Sequence, residues 1–274
     1  MRRSIYMDLI KLLAVFAAIW GFFVLIQKVS PEGFFSEFFP GSEAFELSIE
    51  NEEKLGEIIV EQILDQSPGY EIKNNDQLDS AMFVITHRLL DSIGLTDYDY
   101  HIRVVDDKQV NAFTLPGGNI FINKGLIEFS DQPEEVAAVL AHEIGHVEHR
   151  HVVSKLIKEF GLAIIFSIIT GGDAVLLTEL SKTVVSSVFD RKQEREADRY
   201  ALELMERSHI NPKSMAAFFR KLNREGMSYD EKLEILMTHP HHNSRIKASL
   251  EYKLEEGFDD QSFDLDWDAV KASL

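Results

Sequence analysis

Within "AVLAHEIGHVEHRH", residues 138–151, four histidines and two glutamates fall in fourteen residues that otherwise read as one helix. On an α-helix, residues four apart lie one above the other, so His142 and His146 present two imidazoles to one point while Glu143 projects beside them. Two neutral ring nitrogens at that spacing bind zinc, and the adjacent carboxylate is placed to reach a water on the metal. The bland alternative is a solvated helix face carrying histidines without a metal. Val139, Leu140, Ile144 and Val147 argue against it, because they make the helix largely buried, where unpaired histidines are costly.

A tetrahedral catalytic zinc needs a third protein ligand. The chain has no cysteine, so His, Asp or Glu must supply it. One class of zinc peptidases finds it six residues after the second histidine, with a glycine midway. Here those slots hold Val152 and His149, which excludes that class. A glutamate on a later helix is the other solution, and "FDRKQEREADRYALELM" offers Glu194 and Asp198 four apart, with small Ala197 alongside to permit close approach. Glu194 is placed to ligate, and Asp198, a turn along, to hydrogen-bond a ligating histidine and fix its tautomer. Glu196 points to another face and is the fallback ligand. Taken alone, this second pattern reads as a ladder of surface salt bridges.

The elements that must position these groups follow from periodicity. Residues 51–64 carry Leu55, Ile58, Ile59 and Ile63 on one helical stripe, and residues 77–93 carry Leu78, Met82, Ile85 and Leu89, with Gly94 as a stop. "YHIRVVDD" alternates like a strand, and "QVNAFTLPGGNIFINKGLIEF" sets two apolar runs about Pro116-Gly117-Gly118-Asn119, which predicts a hairpin. From Pro133 onward the chain reads helical, with Pro133 in the first turn of the histidine helix and Asp131 as its N-cap. Residues 160–180, "FGLAIIFSIITGGDAVLLTEL", are interrupted by Gly171-Gly172-Asp173 and read by length as a buried helical hairpin rather than a membrane span. The last twenty residues are acidic, punctuated by Phe258, Phe263 and Trp267, and read as a loosely docked or mobile terminus.

HEIGH, then E-R-E-A-D at residues 194–198, preceded by "NAFTLPGGNIFINKGLI" and followed by "THPHHNSRI", resembles the gluzincin zinc metallopeptidases that include the HtpX heat-shock protease, the CAAX prenyl protease and the Oma-type and BepA-type peptidases. The resemblance covers roughly residues 77–254. It implies an α+β fold: a mainly α-helical, zincin-like metallopeptidase domain with a small β-hairpin or sheet lining the active-site cleft. It implies one Zn2+ per chain held by His142, His146 and Glu194, with Glu143 as general base and Asp198 behind the ligands. It also implies that the strand Asn111, Ala112, Phe113, Thr114 and Leu115 binds the substrate backbone as an added strand. His239 and Arg245 occupy positions that face the metal in this family, where either stabilises the oxyanion or the histidine caps the zinc and suppresses activity. His241 and His242 read as exposed neighbours, and His87, His101, His149, His151 and His209 are assigned no metal role. Members of the HtpX type have two spans between the histidine and glutamate helices, where this chain has only the short run from Phe160.

The whole chain frames these motifs. Its 274 residues, 45% hydrophobic, suffice for one sizeable domain with appendages. With 28 basic against 46 acidic residues and a net charge of -18, nucleic acid is excluded as a main partner. Residues 12–26 form an unbroken apolar run that, extended by Leu9 and Ile10, gives roughly 22 to 27 Å of helix against a hydrocarbon core of about 30 Å. No small-x-small cleavage site follows, so the run reads as an uncleaved single transmembrane anchor rather than a removed signal. Arg2, Arg3 and Lys11 precede or open it and Glu32, Glu37, Glu43 and Glu46 follow, which puts the N-terminus in the cytoplasm and the peptidase domain on the extracytoplasmic side. The expected organisation is an anchor at 1–30, a juxtamembrane linker and helix at 31–70, a metallopeptidase domain at 71–255 and an acidic tail at 256–274. The expected function is zinc-dependent hydrolysis of peptide bonds in unfolded or membrane-associated polypeptides. Its rival is a membrane-tethered binding or chaperone-like module whose zinc site is structural or silenced.

Overall fold

The computed structural model describes residues 47–66, 70–226, 235–239 and 242–274. The expected anchor and most of the linker, residues 1–46, lie outside them. Helix α1 (Ile49–Gln66) is followed by α2 (Asp76–Leu90), which starts where the Asn75 side chain accepts a hydrogen bond from the Leu78 N–H. The apolar stripes of both helices are those expected. Helix α2 stops short of Ile93, because Ser92 and Ile93 fold back in turns before Gly94 takes a φ of 88°.

Three strands come next: β1 (His101–Val105), β2 (Ala112–Leu115) and β3 (Asn119–Asn123), in the order β1-β3-β2. The expected hairpin is β2 and β3, antiparallel with Leu115 opposite Asn119. Its turn runs through Gly117 and Gly118, both at positive φ, the conformation that matches strand twist and that side chains with a Cβ resist. Strand β1 runs parallel to β3, so β2 is an edge strand.

The remainder is helical: α3 (Lys124–Phe129), α4 (Pro133–Glu148), α5 (His151–Phe160), α6 (Leu162–Ile169), α7 (Ala174–Val185), α8 (Arg191–Arg207), α9 (Lys213–Gly226), α10 (Ile235–Thr238), α11 (His242–Glu251) and α12 (Trp267–Ala272). Helix α4 is the hub. Every residue from Pro133 to Val147 is buried, and the helix touches β2, α2, α3, α5, α8 and α9. A helix enclosed on all sides needs small residues where neighbours come closest, and Ala137, Ala138, Ala141 and Gly145 supply them.

Three local expectations are corrected. Asp131 does not cap α4: Gln132 holds the N-cap position, while Asp131 pairs with Lys221 and its N–H donates to the Glu135 carboxylate. The acidic tail is docked, since Phe263, Trp267 and Val270 join the main core and the Trp267 indole N–H donates to the Ser130 carbonyl. Its aromatic residues bury enough apolar surface to offset the entropy of ordering the tail. The apolar run from Phe160 is a bent pair, α6 and α7 at 115°, of which Ile165, Ile168, Leu180 and Val184 are buried but Phe166 and Val175 are 37% and 69% exposed. No single described helix is long and apolar enough to cross a membrane.

An ion pair between buried Glu52 and half-buried Arg150 ties these elements together. Glu52 of α1 accepts from the Arg150 guanidinium at 3.0 Å, the Tyr98 hydroxyl at 3.2 Å and the Gly117 N–H at 3.3 Å. Arg150 itself sits at φ 53°, a left-handed residue that turns the chain from α4 into α5.

Helices α4 and α8 approach closely at Gly145. A Cβ added there would stand 2.9 Å from the Ala197 carbonyl oxygen and 3.0 Å from its Cα, so the backbones must part to admit it. Alanine favours a helix over glycine by up to ~1 kcal/mol, whereas overpacking a filled core costs about 1–3 kcal/mol. Gly145→Ala is therefore expected to lower stability by about 1–2 kcal/mol in urea denaturation; unchanged or raised stability would show that the contact does not constrain the fold.

Candidate metal centre

His142 and His146 lie one turn apart on the buried hub helix, with Nε2 atoms 3.0 Å from each other. Helix α8 delivers Glu194. Asp190 caps that helix, accepting from the Lys192 and Gln193 N–H groups while its own N–H donates to the Gln193 side chain. The buried stripe of α8 begins with Glu194, Ala197 and Asp198 and continues as Ala201, Leu202, Leu204 and Met205, so its polar end meets α4 at the histidines. Glu194 Oε1 is 3.5 Å from His146 Nε2, and Oε2 is 3.7 Å from His142 Nε2. His239 closes the group, its Nδ1 standing 3.3 Å from His142 Nε2 and 3.0 Å from Glu194 Oε1. Among the described residues, His142, His146, Glu194 and His239 form a group whose ligand atoms all lie within 4.8 Å of one another.

These donors fit a zinc ion. Ligands at ~2.0–2.1 Å in a tetrahedron lie about 3.3 Å apart, close to the 3.0, 3.3 and 3.5 Å seen here. The four residues are no more than 4% exposed. Glu194 Oε2 and Glu143 Oε1 are buried with no hydrogen-bond partner, a cost that a cation offsets.

The surrounding charges set the protonation of the donors themselves. Burial pushes His142 and His146 well below the ordinary histidine range, leaving neutral nitrogens suited to ligation. Burial alone would raise the Glu194 carboxyl, but His239, His146 and His142 outweigh it and hold it far below the usual carboxylate range. Burial likewise opposes the charged form of His239, yet Glu194 and Glu143 win and raise it. Glu143 is raised, chiefly by burial, despite His239 nearby and a hydrogen bond from Thr114.

Thr114 donates to Glu143 Oε2 at 2.8 Å, so the edge strand β2 holds the carboxylate beside the donors. Along β2 the side chains alternate: Ala112 joins the core around α4, whereas Phe113 and Leu115 join the core around α1. Asn111, just before the strand, is buried, as are all four residues of β2, against which α1, α4 and α7 rest. Asp198 Oδ1 lies 3.0 Å from His142 Nδ1, off the line of a well-formed hydrogen bond, and 2.7 Å from Arg245 Nη2. Arg245 Nη1 is 3.6 Å from Glu194 Oε2, and the guanidinium covers the Phe219 ring at 4.2 Å. The fallback ligand Glu196 is outside the donor group and faces His151 and Lys192. Sequence reasoning missed Phe189, which stacks on His146 with centroids 4.0 Å apart, and Thr114 as the partner of Glu143.

With this geometry in view, the chain matches Peptidase family M48 over residues 76–253, more than half its length, and belongs to that family of metallopeptidases. It is 29% identical over 213 residues to the beta-barrel assembly-enhancing protease of Yersinia pestis, covering 73% of this chain and 43% of the relative. It is 28% identical to the mitochondrial metalloendopeptidase OMA1 of Schizosaccharomyces pombe, covering 63% and 50%, and 32% identical to that of Arabidopsis thaliana, covering 56% and 31%. The chain thus spans half or less of the length of these relatives.

Arg245 and Asp198 are a buried pair, and removing one partner of such a pair costs about 3–5 kcal/mol. Arg245→Met is expected to destabilise the chain by about that amount, and Asp198→Asn in the same chain to recover part of the loss by discharging the orphaned carboxylate. Strictly additive losses in denaturation would contradict the coupling.

Proposed function

We propose that the chain is a membrane-anchored zinc metalloendopeptidase that hydrolyses unfolded or membrane-associated polypeptides as protein quality control. The observation that carries this reading is the convergence of His142, His146, Glu194 and His239 within 4.8 Å, with the Glu143 carboxylate held at its edge. His142, His146 and Glu194 would hold the ion, which when bound supplies Lewis acidity for the scissile carbonyl and a water acidified from about 15.7 towards ~7. Glu143 Oε1, buried and without a hydrogen-bond partner, takes the proton from the attacking water and passes it to the leaving amine. Its raised pKa suits both halves of that task. Thr114 keeps the carboxylate aimed, and Asp198 orients His142 through Nδ1. Arg245, whose Nε and Nη1 have no hydrogen-bond partner, faces the developing oxyanion.

A substrate chain adds to edge strand β2 at residues 111–115. Those residues are buried, so α7 or a neighbouring element moves when substrate enters. With an ion bound, His239 would be a fourth protein donor, one more than a working site keeps; it would give way as substrate enters and would then join Arg245 in stabilising the oxyanion.

Residues 12–26 supply the anchor, with the N-terminus cytoplasmic and the domain at 71–255 on the extracytoplasmic side; 31–70 links them and 256–274 forms the acidic tail. Quality control is supported by relatives named for enhancing beta-barrel assembly.

The four-donor count also favours the rival, a binding or chaperone-like module with a silenced site. Casein cleavage by the full chain separates them. Glu143→Gln is expected to retain one zinc per chain and lose at least ~100-fold in rate, and chelation to abolish wild-type cleavage. A Glu143→Gln protein that cleaves normally contradicts the base assignment. Zinc-loaded wild type that fails to cleave would establish the rival.

A further inference from the structure

Ligation uses one nitrogen of each imidazole, and the second nitrogen of His146 is engaged as well. His146 Nδ1 lies 2.9 Å from His151 Nδ1, and His151 Nε2 lies 3.4 Å from Glu196 Oε2. His151 opens α5 and is 4% exposed; the left-handed turn at Arg150 folds it back against the end of α4. Two bare nitrogens at 2.9 Å repel, as do two protonated ones, so a single proton lies between them. With His146 Nε2 offered to an ion, that proton belongs to His146 Nδ1. His151 then accepts at Nδ1, carries its own proton on Nε2 and directs it at Glu196. Glu196 Oε1 in turn lies 3.5 Å from Lys192 Nζ. The Phe189 ring, stacked on His146 at 25° between planes, restrains the imidazole from its face.

We propose that His151 and Glu196 are a positioning pair for His146, fixing its tautomer and aiming Nε2 at the metal. The Asp198 carboxylate stands 3.0 Å from His142 itself; the carboxylate that serves His146 acts through a second histidine. The inference rests on the metal-site reading above. It also gives Glu196 a role one step behind the ion rather than on it.

Zinc affinity of the full chain, measured by competition with a chromogenic chelator, tests the pair without recourse to turnover. His151→Asn places Oδ1 where Nδ1 was and still accepts from His146, whereas His151→Phe fills the ring volume and accepts nothing. Loss of such an outer partner typically weakens metal binding 10- to 100-fold, so His151→Phe is expected to fall by about that factor while His151→Asn stays within about threefold of wild type. Glu196→Ala, at a half-buried position, is expected to fall between the two. The visible absorption of the cobalt-loaded protein should change in the Phe variant and not in the Asn variant. If the Phe variant fails to fold, His151→Ala takes its place in the comparison. Equal affinity in wild type and the acceptor-free variant, or equal loss in the Asn and acceptor-free variants, overturns the proposal. Wild type that takes up no zinc overturns the metal site itself, and the pair with it.

Discussion

The contact between Gly145 and Ala197 sets how closely the histidine helix and the glutamate helix approach. Two helices crossing with ordinary side chains between them keep their axes 8–10 Å apart, and a glutamate on one then meets a histidine pair on the other only at full stretch. A glycine facing an alanine lets the backbones touch instead. Glu194, one turn before Ala197, is thereby set among the Nε2 atoms of His142 and His146, and Asp198 behind His142. Because α4 is buried on all sides, nothing at its surface can give way to relieve a poor fit.

That closeness has an electrostatic cost. Three imidazoles, three carboxylates and a guanidinium share a volume with little access to water. Their demands conflict: the histidines hold Glu194 below the usual carboxylate range, while burial pushes Glu143 and Asp198 up and His142 and His146 down. Residual unpaired oxygens on Glu143 and Glu194 mark where the cluster is incomplete as a protein-only structure. A divalent cation would resolve the conflict with one charge where hydrogen bonds resolve it only in part.

Much of this was legible in the sequence, for identifiable reasons. The i, i+4 histidines, the small residue beside Glu194 and the glycine turn between β2 and β3 are local signals, and each behaves as its chemistry dictates. The pairing of Glu194 with the histidines was legible too, since an unfinished ligand set demanded a distant carboxylate. Non-local contacts were not. Nothing in the spacing of Glu52 announces its bonds to Arg150, Tyr98 and Gly117, and His151 looked like one more polar residue until the turn at Arg150 brought it to His146. The tail was misjudged because its acidic composition outweighed three aromatic residues, two of which, Phe263 and Trp267, find places in the core. Asp131 lost its capping role to a stronger claim from Lys221.

The account stands on one convergence of side chains around one ion, and anomalous diffraction from crystals of the zinc-loaded chain, collected across the zinc absorption edge, examines it most directly. A single peak per chain bonded to Nε2 of His142, Nε2 of His146 and the Glu194 carboxylate at about 2.0–2.2 Å, with His239 Nδ1 closing the fourth position, is the predicted result. A peak elsewhere, or one at the histidines with Glu194 turned away, would contradict it.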